Sequence, residues 1–260
     1  MPLEAAGDSS CSIASRAPGD VVFDILKSNL KVDWRDYVVL VADKFDGNPF
    51  AVLAAIILSQ NTSDKNSIKA YERLREKIGV HPQDIVRTPL HNIIEAIRPA
   101  GLPKQKAEAL IGVARLVLEH GGEKWLVQAP PEELRRELLK VKGVGKKTVD
   151  VFLSFYRRYR GVFAVDTHAA RIAKRWGLVR EKATYDEVSR ALLEYFGPDK
   201  AEEAHRLLIA LGRRYCRAKN PRCDKCPLRG LCPWPEKAVQ AGSRQLSRGG
   251  SGGRSKNSGT

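Results

Sequence analysis

Apolar residues recur at spacings of three and four through the middle of the chain, interrupted by Pro and Gly. This spacing places apolar side chains on one face of a helix, whereas a half-buried strand would alternate apolar and polar positions. No stretch alternates convincingly, so we predict an all-α fold. Thr184 and Glu187 have the spacing of a capping box at the start of one helix. The predicted helices include 64–78, 104–119, 131–140, 146–159, 167–176 and 185–196.

Charge narrows the class of partner. The 260-residue chain has a formal net charge of +15, which favours a polyanion through attraction to phosphates and the release of their counterions. Nucleic acid and a membrane surface are the two candidates. The longest uninterrupted apolar run, residues 51–58, is far too short to span a membrane. We therefore expect a nucleic-acid partner and no membrane.

The two ends of the chain depart from the helical pattern. Residues 1–19 are rich in Ser, Ala, Gly and Pro, and residues 236–260 end in a basic Gly/Ser-rich run. Neither segment can bury enough apolar surface to offset the entropy lost on ordering, so we expect two disordered tails. The first twenty residues resemble neither a secretory signal nor a transit peptide. We therefore expect an intracellular protein of the cytoplasm or nucleoid.

A Gly-containing turn joins two helical patterns in the sequence LLKVKGVGKKTVDV, residues 138–151. Gly143 and Gly145 permit a positive φ and a close approach of the backbone to a ligand, and the helix that follows offers unpaired N–H groups. Such a turn can hold a phosphate. A plain turn between packed helices is the alternative, and a lone G-V-G favours it. Four lysines supply counter-charge: Lys140, Lys142, Lys146 and Lys147.

Asp166 comes about twenty residues later, after a short apolar stretch and directly before another predicted helix. Taken alone, Asp166 is an N-cap carboxylate and Lys147 is a solvated side chain. Together they suit chemistry at a sugar carbon. An amine that attacks carbon at neutral pH must lose its proton, and a carboxylate beside it can shuttle protons and stabilise a developing cation. The pair therefore suggests a Schiff-base mechanism.

Four of the five cysteines lie in the segment CRAKNPRCDKCPLRGLC, residues 216–232, with the spacing C-x6-C-x2-C-x5-C. In a reducing compartment, clustered cysteines more often bind metal than form disulfides. Zinc sites usually contain two close Cys pairs, whereas this segment has a single C-x2-C between longer gaps. Metal binding is the first interpretation, and disulfides remain an alternative.

The segments VKGVGKKT and VDTHAAR, followed by this cysteine spacing, resemble the endonuclease III branch of the helix-hairpin-helix DNA glycosylases from about residue 21 to 235. The resemblance places Lys147 at the family's nucleophilic lysine and Asp166 at its catalytic aspartate. It favours a 4Fe-4S cluster over zinc, because such a cluster is held by four thiolates. The implied cluster ligands are Cys216, Cys223, Cys226 and Cys232.

The same resemblance implies a two-lobed all-α fold with a C-terminal iron–sulfur cluster loop. One lobe is a helical barrel, residues 41–160, that ends in the helix-hairpin-helix. The other combines residues 20–40 with residues 161–235 and contains the cluster. Lys147 and Asp166 are expected to face each other across the cleft between the lobes.

The resemblance also implies a set of DNA contacts. LSQNTSD resembles the family's LSAQTTD, whose Gln enters the gap left by an extruded base; here Asn61 stands at that Gln and Gln60 at the Ala. Leu102, in IRPAGLPKQKA, matches a residue that wedges between bases. The hairpin residues Gly143, Val144 and Gly145 are expected to grip a phosphate of the damaged strand. The loop between the first two cysteines presents three cations to phosphates: Arg217, Lys219 and Arg222.

The resemblance therefore predicts a monomeric, bifunctional DNA glycosylase and abasic-site lyase. It would remove oxidised pyrimidines from damaged double-stranded DNA and cut the abasic site on its 3′ side by β-elimination through a Lys147 Schiff base. Two alternatives remain. A monofunctional mismatch thymine or uracil glycosylase activates water and does not need the lysine. A non-catalytic DNA-binding protein needs neither Lys147 nor Asp166.

Overall fold

The computed structural model describes residues 12–33, 35 and 37–235. Within these residues the regular secondary structure is entirely helical, which confirms the all-α prediction. The expected tail 236–260 and residues 1–11 lie outside the described part of the chain. The α-helices are α1 (Gly19–Asn29), α2 (Val38–Phe45), α3 (Pro49–Leu58), α4 (Asp64–Lys77), α5 (Pro82–Arg87), α6 (Leu90–Ile97), α7 (Pro103–Glu119), α8 (Glu123–Gln128), α9 (Pro131–Leu138), α10 (Lys146–Val151), α11 (Thr167–Arg175), α12 (Tyr185–Phe196) and α13 (Ala201–Arg214).

Five of the six predicted helices end within two residues of the predicted positions. The capping box of α12 is also present, since the Glu187 carboxylate accepts from the Thr184 N–H at 2.7 Å and Thr184 Oγ1 accepts from the Glu187 N–H at 3.3 Å. The prediction of one continuous α-helix over residues 146–159 was wrong. The α-helix stops at Val151 and continues as a π-helical turn, Phe152–Tyr156. Such turns are rare and frequently lie at functional sites.

The larger hydrophobic core surrounds α3, in which all ten residues are buried. Pro49 occupies the first turn, and Asn48 Oδ1 accepts a hydrogen bond from the Ala51 N–H at 2.6 Å, so the helix has a defined start. Side chains from α2 and from α4 to α10 pack around it. Burial of one large aliphatic side chain contributes about 1.5–3 kcal/mol, so α3 anchors this lobe. Among the described helices, none combines the length and apolarity that crossing a bilayer requires.

A second core is formed by α1 and by α11 to α13. Ile13 is fully buried in this core, and its N–H donates to the carbonyl of Trp176 at 2.8 Å. The expected disordered tail, residues 1–19, is therefore wrong for residues 12–19. Ala17 is buried in the same core, and its carbonyl accepts from the Tyr195 hydroxyl at 3.0 Å. The average composition of the segment did not reveal these contacts.

A buried polar network joins the two cores. Arg135 on α9 donates to both carboxylate oxygens of Asp150 on α10, at 3.0 and 3.2 Å. The Tyr185 hydroxyl on α12 donates to Asp150 at 2.8 Å and accepts from the Val165 N–H at 3.2 Å. Burial raises the pKa of Asp150. Because Val165 precedes Asp166, the network fixes the chain entering α11 relative to α10.

Candidate active site

A cleft of about 630 Å³ lies between the two cores and is lined by both predicted catalytic residues, Lys147 and Asp166. The hairpin and the start of α10 form one side. The N-terminus of α11 and one face of α13 form the other. The structure therefore brings together residues that are 19 positions apart in the sequence and lie on helices that pack into different cores.

Lys147 lies in the first turn of α10. Burial lowers the pKa of its amine, and the negative charges of Asp166 and Asp64 offset part of this shift. Desolvation disfavours the ammonium form, so a larger fraction of the amine is neutral at a given pH than for a solvated lysine. This is the state that a nitrogen nucleophile requires.

Asp166 is the N-cap of α11, because its Oδ1 accepts a hydrogen bond from the Ala169 N–H at 2.7 Å. The structural interpretation of this residue as a cap is thus correct, and the residue also lines the cleft. The cap bond fixes the carboxylate at the start of the helix, where the dipole favours negative charge. One residue therefore combines a folding role with a position beside Lys147.

The three hairpin residues predicted to contact a phosphate lie in different environments. Gly143 has φ +90°, and a Cβ there would lie 3.0 Å from the Ala109 side chain. Gly143 and Gly145 both line the cleft. The Val144 side chain is buried in the larger core, and its N–H donates to the Val141 carbonyl at 3.0 Å. Val144 therefore holds the turn in shape rather than presenting a free donor.

Gln60 and Asn61 both line the cleft at the end of α3. The Gln60 side-chain amide donates to the Gly143 carbonyl at 3.1 Å and to Thr148 Oγ1 at 2.9 Å, so it is tied to the hairpin. Asn61 is exposed and has φ +49°, a left-handed conformation that asparagine tolerates better than most residues. Of the two amides, Asn61 is the one that projects from the surface.

Leu102 lies at the tip of the turn before α7, where its side chain is 52% exposed and its φ is +49°. Nearby, Lys106 is only 3% exposed. Its amine donates to the Leu58 carbonyl at 2.9 Å and to the Ala100 carbonyl at 2.7 Å, so it connects the end of α3 to the Leu102 turn. Lys106 was not among the site residues predicted from the sequence, although it is present in the motif that contains Leu102.

The four cysteines of the C-terminal segment line one small pocket with Trp176 and Trp234. All four are free thiols. Burial raises the pKa of Cys226 and of Cys232 to about 11, so binding of a positively charged metal group must drive loss of these protons. Among the described residues, no three His, Cys, Asp or Glu side chains are placed to hold a single metal ion. The four thiols around this pocket supply the number of thiolates by which a 4Fe-4S cluster is held.

The loop between the first two cysteines is held by Arg175, which is 8% exposed. Its guanidinium donates to Cys216 Sγ at 3.2 Å, to the Arg217 carbonyl at 2.8 Å and to the Ala218 carbonyl at 3.1 Å. The Trp234 ring covers it at 4.8 Å. Lys219 and Arg222 are exposed at the loop surface, whereas Arg217 is half-buried. No sequence motif pointed to Arg175.

Comparison with known proteins identifies the family. Residues 54–198 match the HhH-GPD superfamily of base excision DNA repair proteins, and residues 216–232 match the iron–sulfur binding domain of endonuclease III. The chain is 33% identical to endonuclease III of Sulfolobus acidocaldarius over 80% of this chain and 92% of that protein. This chain belongs to the endonuclease III family. Endonuclease III of Bacillus subtilis is also 33% identical, over 75% of this chain and 85% of the relative.

Solved endonuclease III structures have the same fold. A non-covalent endonuclease III–DNA complex superimposes with a TM-score of 0.70 at 29% identity, covering 85% of this chain and 96% of that one. A trapped endonuclease III–DNA covalent intermediate gives a TM-score of 0.65 at 29% identity, covering 80% and 100%. The two-lobed helix-hairpin-helix fold and the 4Fe-4S cofactor predicted from the sequence are confirmed.

Proposed function

We propose that this protein is a bifunctional DNA glycosylase and abasic-site lyase of base excision repair, which removes oxidised pyrimidines from duplex DNA. The observation that carries the proposal is the desolvated Lys147 amine in a cleft that also contains Asp166. A glycosylase that activates water does not require an amine there. The similarity to a trapped covalent endonuclease III–DNA intermediate supports the same conclusion.

The proposed reaction begins after the damaged nucleotide has been extruded, at a cost of a few kcal/mol. The neutral Lys147 amine forms a bond to C1′ as the bond between C1′ and the base breaks, and the base leaves with a proton. The amine then loses its proton while the sugar ring opens, and the former ring oxygen takes up a proton. Asp166 stabilises cationic character at the sugar and assists these transfers. Loss of a C2′ proton from the resulting imine expels the 3′ phosphate.

The DNA contacts in this proposal surround the cleft. Gly143, Val144 and Gly145 form the hairpin that receives a phosphate of the damaged strand, with Val144 supporting the turn from the core. At the start of α10, the first helical hydrogen bond runs from the Val149 N–H to the Gly145 carbonyl. The N–H groups that precede it are left by helix geometry for a ligand.

Two exposed residues are proposed to replace the extruded nucleotide in the duplex. Asn61 fills the gap, since the Gln60 amide is already bonded to the hairpin. Leu102 wedges between neighbouring bases, and its exposure and left-handed backbone fit a side chain held outward. Both residues lie near the ends of elements that Lys106 connects.

The proposed ligands of the 4Fe-4S cluster are Cys216, Cys223, Cys226 and Cys232. When bound, the cluster supplies a rigid cross-link among four positions of a loop with little apolar core. Arg217, Lys219 and Arg222 then face the DNA backbone, where each phosphate contact increases affinity and its dependence on salt. We further propose that the lobes comprise residues 41–160 and residues 20–40 with 161–235, and that the enzyme is an intracellular monomer.

Borohydride trapping on a duplex that contains an abasic site tests the lyase reaction. Wild-type protein should form a covalent adduct with the DNA, and Lys147→Ala should form none. Lys146→Ala is the matched control, because the neighbouring Lys146 is exposed and pairs with Asp186 at 2.5 Å. Adduct formation by Lys147→Ala would overturn the assignment of the nucleophile. Release of an oxidised pyrimidine from a second, damaged duplex without any adduct on the abasic duplex would support the monofunctional alternative. No turnover of either duplex would support the non-catalytic one.

A further inference from the structure

One wall of the cleft consists of α13 residues that have no role in the proposed Schiff-base reaction. His205, Arg206 and Ile209 line the cleft on the side opposite the hairpin. His205 and Ile209 are one helical turn apart and so lie on the same face of α13. This face combines an apolar surface with polar atoms at one edge, which is also the character of a nucleobase.

His205 is 7% exposed, and its Nε2 has no hydrogen-bond partner among the described residues. The ring packs edge-on against Phe163, with the ring centres 6.0 Å apart. The charged and titratable groups around it are Asp166, Lys147, Arg206 and His168, yet burial dominates and lowers the pKa of His205 to about 4. A neutral imidazole has one donor and one acceptor nitrogen, so it can bond an uncharged ligand.

Arg206 presents a second incomplete group beside it. Its Nη2 donates to Glu202 Oε2 at 2.8 Å, one helical turn earlier, which fixes the guanidinium. Its Nε is buried and has no partner among the described residues. Native proteins rarely leave buried donors unsatisfied, because each loses its hydrogen bonds to water without replacement. His205 and Arg206 both line the cleft, so a ligand bound there can complete the bonding of these two atoms.

We propose that His205 and Arg206 bind the polar edge of the extruded base, with Arg206 Nε donating to a carbonyl oxygen of an oxidised pyrimidine. The inference rests on the proposed function, because it requires a base to enter this cleft. Arginine Nε can only donate, so the matching base atom must be an acceptor. Oxidised thymines offer carbonyl oxygens on both sides of the ring nitrogen N3. These two residues then determine which base is released and leave the sugar chemistry to Lys147 and Asp166.

The test compares two substrates, a duplex containing thymine glycol and a duplex containing a preformed abasic site. Arg206→Met keeps the length of the side chain and removes the donor, and His205→Phe keeps the ring packing and removes the nitrogens. Each variant should release thymine glycol about tenfold more slowly, the effect of one lost hydrogen bond. Cleavage of the abasic duplex should stay within about twofold of wild type, because no base is present to be bound.

Two further variants complete the experiment. His205→Gln restores a polar group near the position of Nε2 and should recover part of the lost base release. Glu203→Gln, on the side of α13 that pairs with Lys27, should leave both reactions unchanged. Should His205→Phe fail to fold in a thermal melt, the less buried Arg206→Met gives the comparison alone.

The outcomes separate this inference from the proposed function. Equal losses on both substrates, or no loss on either, would overturn the assignment of His205 and Arg206 to the base. Cleavage of the abasic duplex by wild type without release of thymine glycol would overturn the assignment to an oxidised pyrimidine. If wild type cleaved neither duplex, the proposed lyase function itself would fail.

Discussion

Helix α3 and the cysteine segment Cys216–Cys232 are both proposed to position residues against DNA, but they are held in opposite ways. All ten residues of α3 are buried, and the helix leads into Gln60 and Asn61. Within the cysteine segment Leu228 alone is buried. A loop that must keep cations in solvent cannot be stabilised by an apolar core of its own, so cross-links take over that task.

The same contrast applies to the buried cation of each region. Lys106 donates to backbone carbonyls at 2.9 and 2.7 Å and supports the end of α3. Arg175 donates to two carbonyls and to a cysteine sulfur and supports the cysteine loop. In one region the cation supplements a large core, whereas in the other it supplements the cluster. Loss of the cluster should therefore displace the residues proposed to contact DNA more than loss of any one apolar side chain of α3.

Cys226→Ser removes one proposed cluster ligand, and we expect it to have the largest effect on DNA binding. We expect loss of the visible absorbance of the cluster and release of the loop that contains Arg217, Lys219 and Arg222. If three phosphate contacts are lost, the slope of log K against log salt becomes shallower by about 2–3, which DNA-binding titrations at several salt concentrations would measure.

Most of the helical circular dichroism of Cys226→Ser should remain, because the α3 lobe has its own core. Cys11→Ser, at the fifth cysteine and outside the described residues, is the matched control. An unchanged salt slope in a cluster-free Cys226→Ser protein would contradict the proposed DNA contact of the loop.

Leu53→Ala tests the contribution of the apolar core around α3. Leu53 lies fully buried in the middle of α3. The substitution leaves a cavity, and we expect the free energy of unfolding to fall by about 2–5 kcal/mol in a denaturant titration. The cluster absorbance and the salt slope of DNA binding should stay unchanged under native conditions. A loss of cluster absorbance with Leu53→Ala would show that the two regions do not differ as described.

The sequence predicted most of the helices, because they depend on patterns that are local in the chain, whereas the location of the site was expected from the resemblance to a known family. Apolar spacing located α4, α7 and α12, and the hairpin, the VDTH segment and the cysteine spacing located the chemistry. The helices and the hairpin turn need only neighbouring residues to form. For the same reason the cap role of Asp166 could be foreseen from the sequence alone.

The features that sequence analysis missed depend on contacts between distant parts of the chain. Lys106 bonds a carbonyl 48 residues away, and Arg175 bonds carbonyls more than 40 residues away. His205 becomes notable only once folding places it beside Lys147 and Asp166. Val144 belongs to the hairpin that is expected to grip a phosphate, and the burial of its side chain in the core could not be read from the sequence. Residue type and spacing carry no information about such partners.

Arg175→Lys sharpens the comparison on the cluster side. A lysine has a single charged nitrogen and cannot reproduce the planar set of bonds to Cys216 Sγ and two carbonyls. We expect the free energy that holds the loop in its folded conformation to fall by about 1–3 kcal/mol. The cluster absorbance should decay faster in the presence of a chelator, and DNA affinity should fall several-fold. Lys174→Gln, at the preceding residue of α11, serves as the control, and equal decay rates for the two variants would contradict the role of Arg175.

Lys106→Met is the corresponding change on the α3 side. Burial lowers the pKa of Lys106 to about 8, against 10.5 for the free side chain. Between these values the unfolded chain binds more protons than the folded protein, so this group makes stability rise with pH. Between pH 8 and pH 10 the wild-type protein should gain about 2 kcal/mol relative to Lys106→Met. Denaturant titrations at pH 8 and pH 10 would measure the difference, and parallel pH profiles would contradict the assigned shift.

The smallest effect is expected where the two lobes meet, at Asp64, which begins α4 and pairs with Arg213 of α13 at 2.5 Å. The carboxylate of Asp64 raises the pKa of Lys147, although less than Asp166 does.

Asp64→Asn removes this effect and leaves the Arg213 cation nearby, and both conditions favour the neutral Lys147 amine. The rate of borohydride trapping rises with pH as Lys147 loses its proton, so its midpoint should move to lower pH by less than about one unit. Asp20→Asn, at a surface pair with Lys200 in the second lobe, should leave the midpoint in place. A shift toward higher pH would mean that Asp64 does not act on Lys147 through its charge.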